Sequence, residues 1–521
     1  MHSRVMGRTP FSSTLSVARR TRELDTLADE REIDVLVIGG GITGVGIALD
    51  AATRGLRTVL VERHDLAHGT SRFSSKLVHG GLRYLASGQV GIARESAVER
   101  HILLTRTAPH LTRGLAQIVP LHAPGHVARG ALVGLGYEFG DGLRRTVGTP
   151  GALLPGPRPI GAAETLRLAP AVDPSGLRGA VRGWDGQLID DARLVVAVAR
   201  TAAGYGASIL PRVEAVSVSG RDALLRDTVA GHTLTVHARA VVSATGVWAG
   251  ELDPDVRLRP SRGTHLVVST ERLGGSDVSL TVPIPGSSSR FVFTLPAVHG
   301  RTYIGITDVP ADGPIPQVAQ SADSEIDTLL GTVNTVLSEP LGRADVLATF
   351  AGLRPLLEGR HDADTSDLSR RHAIIESSSG VLSVVGGKLT TYRRMAEDAV
   401  DAVIRRDPGL PSRPSRTASI PLVGAWPRHR LAEIAAAPRL VRRYGAEAPY
   451  VAALPGGAGA ARRVTPQELE WGVRVEGAMS IDDLLDRRTR LGLVDADKAS
   501  STDAAAAAFA RAGVEPLRPS S

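Results

Sequence analysis

"IDVLVIGGGITGVGIALDAATRGLRTVLVER", residues 33–63, decides the fold. It opens with a β-rich apolar run, Val35 to Ile38, turns at Gly39–Gly41, and continues with helical spacing through Val45, Ala48, Leu49 and Ala52. Beyond Gly55 a second apolar run, Thr58 to Val61, leads to Glu62. The pattern predicts a βαβ unit with Gly39, Gly41 and Gly44 at the G-x-G-x-x-G positions. Gly39 permits the tight turn, Gly41 lets the backbone approach a pyrophosphate at the helix N-terminus, and Gly44 allows close packing of helix on strand. Glu62 falls where an acidic residue bonds a ribose hydroxyl, a placement that a glycine-rich turn in another kind of α/β domain would not explain. Dinucleotide binding follows from the whole unit, where the glycines alone would be weak evidence.

What comes next separates the two common dinucleotides. A nicotinamide enzyme would continue with further regularly spaced βα units, whereas this chain runs into the polar "HGTSRFSSKLVHGGLRYL", residues 68–85, and then a long helical stretch. That favours a flavin. Thr70, Ser71, Ser74, Ser75 and Lys76 can hydrogen-bond the rest of a tightly held FAD, and "AVVSATGVWAG" at 240–250 offers a second close backbone approach at Ala244, Thr245 and Gly246.

Composition narrows the class. The 521 residues, 42% hydrophobic, can bury a large core and suggest two to four domains. With no cysteine there is no disulfide, thiolate nucleophile or cysteine-held cluster, so redox chemistry needs a borrowed cofactor; no metal site is read either. The net charge of +7 comes from scattered arginines without dense basic runs, which argues against nucleic acid. It fits anionic substrates or an anionic membrane surface equally well. No apolar run approaches the ~20 residues of a spanning helix, the nearest being "GALVGLGYEFG" at 130–140. The chain reads as cytoplasmic, at most peripheral on the inner face of the membrane, and residues 1–30 as a flexible or helical extension.

Taken together, the motifs resemble the FAD-dependent glycerol-3-phosphate dehydrogenases of the D-amino-acid-oxidase-like flavoprotein superfamily. The resemblance rests on residues 37–56, on "TSRFSSKLVHGGLRYL" at 70–85, "ATGVWA" at 244–249, "TYIGITDVP" at 302–310, "FAGLRPL" at 350–356 and "VVGGKLTTYRRMAEDAV" at 384–400. "ELEWGVRVEGAMSIDDLLDRRTRLGLVD" at 468–495 is similar to the helical cap of bacterial members. It implies oxidation of sn-glycerol 3-phosphate at C2, with hydride passing to flavin N5 and electrons onward to a quinone or another acceptor. It also implies that His79, Arg83 and Tyr84 face the substrate.

A phosphate dianion calls for several converging bidentate donors, and Arg83, Arg354 and Arg370 are assigned to it, Arg371 being a rival to the last. Arg354 is bracketed by Gly352 and Pro355, which aim its side chain. The departing hydride leaves an alcohol proton to be taken up; His79 is the first candidate base and His265, in "RGTHLVV", the second. Lys388 is placed near the flavin pyrimidine edge, where positive charge favours the reduced form, with Gly387, Leu389 and Thr390 beside it. Val213 is a candidate backbone contact to adenine.

The expected architecture is α/β: a Rossmann-type FAD-binding domain interleaved with a mixed or antiparallel β-sheet substrate domain, plus a C-terminal α-helical cap domain. The FAD domain is placed at about 31–110, 180–255 and 345–400, the substrate domain at 111–179 and 256–344. A proline-rich linker at 401–421, a helical domain at 422–510 and a tail at 511–521 follow, "STDAAAAAFARAGV" at 501–514 reading as a capped Ala-rich helix and "EPLRPSS" at 515–521 as disordered. "GQLIDDARLVVAVARTAAGYGASIL" reads as an Asp-capped helix ending near Gly204, then a strand. The Ala-rich cap faces fit a homodimer interface or plain core packing. Rival readings are an oxygen-using glycerol-3-phosphate oxidase, a flavin amine or amino-acid oxidase, which would want a carboxylate site instead of several arginines, an NAD-linked dehydrogenase, and a nucleotide-binding protein without turnover.

Overall fold

The computed structural model describes residues 13–29, 32–81, 89–123, 126–286, 290–358, 371–411, 413–455 and 463–518. The βαβ unit forms as read: strand Glu32–Ile38, helix Ile42–Arg54 and strand Thr58–Glu62, the two strands parallel with Val35 opposite Thr58. Glu32–Ile38 is central, and its part Val35–Ile38 is buried on both faces, which is why that part is a continuous apolar run with no alternation. The eight-stranded sheet is ordered Ala373–Glu376, Leu382–Val385, Thr233–Ser243, Glu32–Ile38, Thr58–Glu62, Ser208–Pro211. The meander Val213–Val218 and Asp222–Asp227 folds onto Thr233–Ser243. Helices Ile42–Arg54, Asp191–Gly204 and Tyr392–Arg406 share one core with its strands.

Asp190 caps the helix Asp191–Gly204 by accepting from Arg193 N at 3.3 Å. Gly39, at φ +111°, cannot be replaced without collision, since an added Cβ would stand 2.6 Å from the Ala244 carbonyl oxygen.

The second sheet has ten strands, mostly antiparallel: eight are ordered Val309–Pro310, Ser261–Ser269, Arg301–Gly305, Phe291–Pro296, Ser279–Pro283, Thr112–His122, Leu177–Leu188, Leu77–Val78, and Arg158–Ile160 and Val346–Arg354 pair off this path. The helix Asp323–Asn334 covers its core. Val346–Arg354 pairs along Ser261–Ser269, from Ser261 opposite Arg354 onward, so residues 346–354 belong to this sheet and not to the cofactor domain where the sequence placed them. The helix beginning at Tyr392 runs on to Arg406, shortening the expected linker.

The C-terminal region is helical, with Thr465 and Glu468 forming a capping box at the start of Pro466–Arg474. It grips the cofactor domain through buried ion pairs. Asp65 takes Arg487 at 2.6 Å and Arg488 at 2.7 Å, Arg200 pairs with Glu447 at 2.7 Å, and Arg193 meets Glu476. At the N-terminus the helical alternative forms, and at the C-terminus the expected disorder is corrected. Residues Val17–Asp29 form a packed helix, Arg20 pairing with Asp227 at 2.6 Å and Leu15 N donating to Val475 O at 2.9 Å. At the other end one helix, Asp495–Ala512, continues into a segment whose Leu517 N donates to Met479 O at 2.7 Å, so the part of the tail that is described is docked.

Candidate functional site

A cavity of about 1550 Å3 lies between the two sheets. An ordinary ligand pocket holds roughly 300–1000 Å3, so this one has room for a dinucleotide and a second small molecule. Its floor is the glycine turn. Gly39, Gly41, Ile42 and Thr43 line it, and Gly41, in extended backbone, offers no side-chain cap to the helix that follows. Gly44 lies beneath, where an added Cβ would be 1.9 Å from the Gly39 carbonyl oxygen. Ser71 Oγ accepts from Ile42 N at 2.9 Å, which ties the serine-rich loop to the same helix end.

Glu62 lines the cavity with its oxygens already oriented: one accepts from Gly40 N and the other from His64 N, each at 2.7 Å. Burial raises its carboxyl pKa, the two amides working against that shift. Thr70, Ser71, Ser74, Ser75, Val213, Ala244, Thr245 and Gly246 all line the same space. So does Trp248, whose buried Nε1 has no hydrogen-bond partner among the described residues. A cradle from which side chains are excluded, an acidic group beyond it and an orphaned donor suit a bound dinucleotide.

His79, Arg354, Gly387, Lys388, Leu389 and Thr390 line the cavity as well, which brings cationic groups into the space that the glycine turn opens. Arg354 is held by its own domain: Nη1 donates to Ser261 Oγ and Asp308 Oδ1, both at 3.2 Å, and Nη2 to Thr307 O at 3.1 Å. Lys388 Nζ donates to Ser96 Oγ at 2.9 Å, on the helix Val90–Ile102. Gly387, at φ +71°, brings the backbone close against Met395. Arg83, Tyr84 and Arg370 lie outside the described residues, and the rival Arg371 is exposed beside Gly91.

Two expected site residues stand elsewhere. Lys76 is buried away from the cavity, its Nζ 3.2 Å from Asp191 Oδ2 and donating to the carbonyls of Arg72 and Ser74; burial lowers its pKa to about 8. His265 is fully buried behind the wall, reaching it only through Ser75 Oγ, 2.8 Å from Nε2. Burial, with Lys76 and Arg354 nearby, drives its pKa far down.

Sequence reasoning passed over the carboxylates that hold these loops. Asp185 lines the cavity, accepts from Gly80 N at 3.0 Å and pairs with Arg100 at 2.6 Å, which anchors the turn carrying His79. Asp191 accepts from Ser74 N at 2.9 Å and Ser74 Oγ at 2.8 Å. Its place in "IDDARL", one residue past the helix cap, was the available signal. At the cavity's edge Val90, Leu135 and Phe139 are large apolar side chains with more than half their surface exposed, at 56%, 56% and 61%.

Comparison with known proteins gives consistent matches. The family described as FAD dependent oxidoreductase matches residues 34–393, and the C-terminal domain of alpha-glycerophosphate oxidase matches residues 415–513. The chain is 53% identical over 506 residues to glycerol-3-phosphate dehydrogenase 1 of Mycobacterium tuberculosis, covering 94% of this chain and 97% of that protein. It is 35% identical to the mitochondrial glycerol-3-phosphate dehydrogenase of Rattus norvegicus, covering 92% and 70% respectively. Among solved structures, the glycerol-3-phosphate dehydrogenase of Bacillus halodurans complexed with FAD superposes with a TM-score of 0.72 at 28% identity, over 96% of this chain and 94% of that one.

Proposed function

The chain belongs to the FAD-dependent glycerol-3-phosphate dehydrogenases, and from that membership we propose that it oxidises sn-glycerol 3-phosphate to dihydroxyacetone phosphate and hands the electrons to a membrane quinone or a comparable carrier. The observation that carries this reading is the single cavity in which Arg354, Lys388 and His79 share space with the glycine cradle. FAD, when bound, supplies the two-electron acceptor for the hydride that leaves C2.

The protein's own groups do the rest. Arg354, with Arg83 and Arg370, binds the phosphate; its guanidinium is aimed in advance by Ser261, Asp308 and the Thr307 carbonyl, so little side-chain freedom is lost on binding. His79 takes the proton of the C2 hydroxyl on a ring nitrogen as the carbonyl forms, and Tyr84 helps to place the substrate. Lys388, steadied by Ser96, contributes positive charge at the cofactor's edge. Glu62 holds the ribose, and the loop from Thr70 to Ser75, Val213, Ala244 to Gly246 and Gly387 to Thr390 complete the cofactor's bed.

The exposed Val90, Leu135 and Phe139 at the cavity's edge favour an apolar acceptor and docking on a membrane surface. No helix among the described residues is long and apolar enough to cross a membrane. A second reading, an oxidase delivering electrons to oxygen, shares the same reductive half-reaction.

Anaerobic addition of sn-glycerol 3-phosphate to the purified yellow protein should bleach the oxidised-flavin band. A band that survives saturating substrate would sink the assignment of substrate. Mixing the bleached protein with a short-chain quinone or with oxygen then separates the two readings by which one restores the colour faster. Sedimentation with anionic vesicles, compared with Phe139→Ser, tests the docking edge.

A further inference from the structure

The segment Ser74–Ser75–Lys76 is pinned on both sides of its middle residue. Asp191 holds the backbone and hydroxyl of Ser74 and the ammonium of Lys76. Between these anchors Ser75 faces the cavity while its Oγ lies 2.8 Å from His265 Nε2. His265 is sealed behind it, its ring stacked on Phe350 at 4.6 Å with an interplanar angle of 11°. Lys76 Nζ stands 4.5 Å from the same Phe350 ring. The other imidazole nitrogen, Nδ1, is buried with no hydrogen-bond partner among the described residues.

These contacts decide where the ring carries its proton. An imidazolium here would add a further positive charge beside Lys76 and Arg354 in a fully buried site, and the two neighbouring carboxylates, Asp191 and Asp308, are already engaged with those cations. The ring therefore stays neutral. A proton on Nδ1 would be an orphaned buried N–H, whereas a proton on Nε2 is accepted by Ser75 Oγ. Ser75 has one hydroxyl hydrogen, and with its oxygen receiving the Nε2–H that hydrogen is directed into the cavity.

We propose that His265 is a positioning residue: a neutral ring protonated at Nε2, it donates to Ser75 Oγ and so makes Ser75 a fixed hydrogen-bond donor toward an acceptor atom of the cofactor or substrate. This rests on FAD and a phosphorylated alcohol occupying the cavity, and it leaves removal of the alcohol proton to another group.

Imidazole 15N NMR of the holoenzyme tests it, the His265 signal being identified by its loss in H265Q. The expected signal is a neutral Nε2–H tautomer, unchanged across about two pH units either side of the ordinary histidine value. An Nδ1–H tautomer or a titrating ring would overturn the proposal. Kinetics supply an independent reading. H265Q keeps an amide N–H close to the Nε2 position, while H265M has similar volume and no donor. H265M and S75A should retain FAD but bleach roughly tenfold more slowly with substrate, the equivalent of about one hydrogen bond, and H265Q should recover most of that loss with its pH profile intact.

If H265Q is as slow as H265M and the rate loses its pH dependence, His265 is the base and the proposal falls. A displaced flavin band in substrate-free S75A would assign the acceptor atom to the cofactor; an unmoved band with weakened substrate binding would assign it to the substrate, and either outcome supports the donor role. A wild-type protein that takes up no FAD overturns the functional reading and this one together, whereas a yellow wild type with the wrong tautomer overturns only this one.

Discussion

At the scale of single residues, the proposed roles divide the cavity between groups that would recognise substrate and groups that would admit the cofactor, and the two should fail differently. Arg354 is held by Ser261, Asp308 and the Thr307 carbonyl and keeps 21% of its side chain exposed at the cavity, so Arg354→Ala removes a charge-assisted contact without emptying the core. The expected result is normal flavin content with kcat/KM for glycerol 3-phosphate lower by about 10- to 100-fold, equivalent to ~1.5–3 kcal/mol. Titration of the flavin spectrum together with steady-state rates checks it, and loss of FAD would show that Arg354 has been misplaced. Gly44→Ala should do the reverse. Its methyl group would meet the Gly39 carbonyl at 1.9 Å, a backbone atom that cannot rotate away, so the helix must back off the strand that it cradles. The protein should purify colourless, with a circular dichroism spectrum close to that of the wild type.

Among the elements, the C-terminal helices matter because of where their charges go. Arg487 and Arg488 reach from the turn Asp483–Arg488 to Asp65, three residues past Glu62 in the loop whose backbone also engages the glycine turn, Ala67 N donating to Gly40 O at 3.0 Å. Burial works against the Asp65 charge, yet Arg488 and then Arg487 hold its carboxyl below the ordinary range. Arg488→Ala leaves a buried carboxylate with half its partners and should destabilise by ~3–5 kcal/mol. Because Asp65 is continuous with Glu62, FAD should also dissociate more readily, measured by fluorescence of released flavin; unchanged retention would mean that cap and cofactor loop are not coupled. Removing residues 1–29 attacks the same junction from the other end, through loss of the Arg20–Asp227 pair and of the contact between Leu15 and Val475. Limited proteolysis should then release the C-terminal helices before the two sheets are cut.

Across the whole molecule, what could be read in advance was what local sequence encodes. The turn Gly39–Gly44, the strand into Glu62 and the cap at Asp190 each depend on residues within one or two elements, and each stands where the pattern put it. Lys76, Asp185 and His265 answer to partners 85 to 190 positions away or across a sheet register, and no periodicity reports those. The misassigned strand Val346–Arg354 has the same cause, since its apolar run would suit either sheet and only pairing with Ser261–Ser269 decides. Long-range burial also gives the molecule a property that composition hides. His110 and His299 are enclosed where the C-terminal region meets the two sheets, His299 Nε2 donating to Thr489 O, and burial lowers their pKa values to about 3 and about 4. Both are neutral when folded but take up a proton near the ordinary histidine value when unfolded, so between about pH 6.5 and 4 the unfolded chain binds more protons and stability must rise with pH. Acidification through that window should therefore cost about 1 kcal/mol per pH unit for each ring, and for His110 the loss continues to about pH 3. Urea midpoints of the wild type should fall steeply there, while His110→Gln combined with His299→Gln should flatten the slope even if it lowers the midpoint at neutral pH. Parallel slopes in the two proteins would place the acid sensitivity elsewhere, in the other buried histidines, His64, His68 and His265, or in the carboxylates that pair the cap to the cofactor domain.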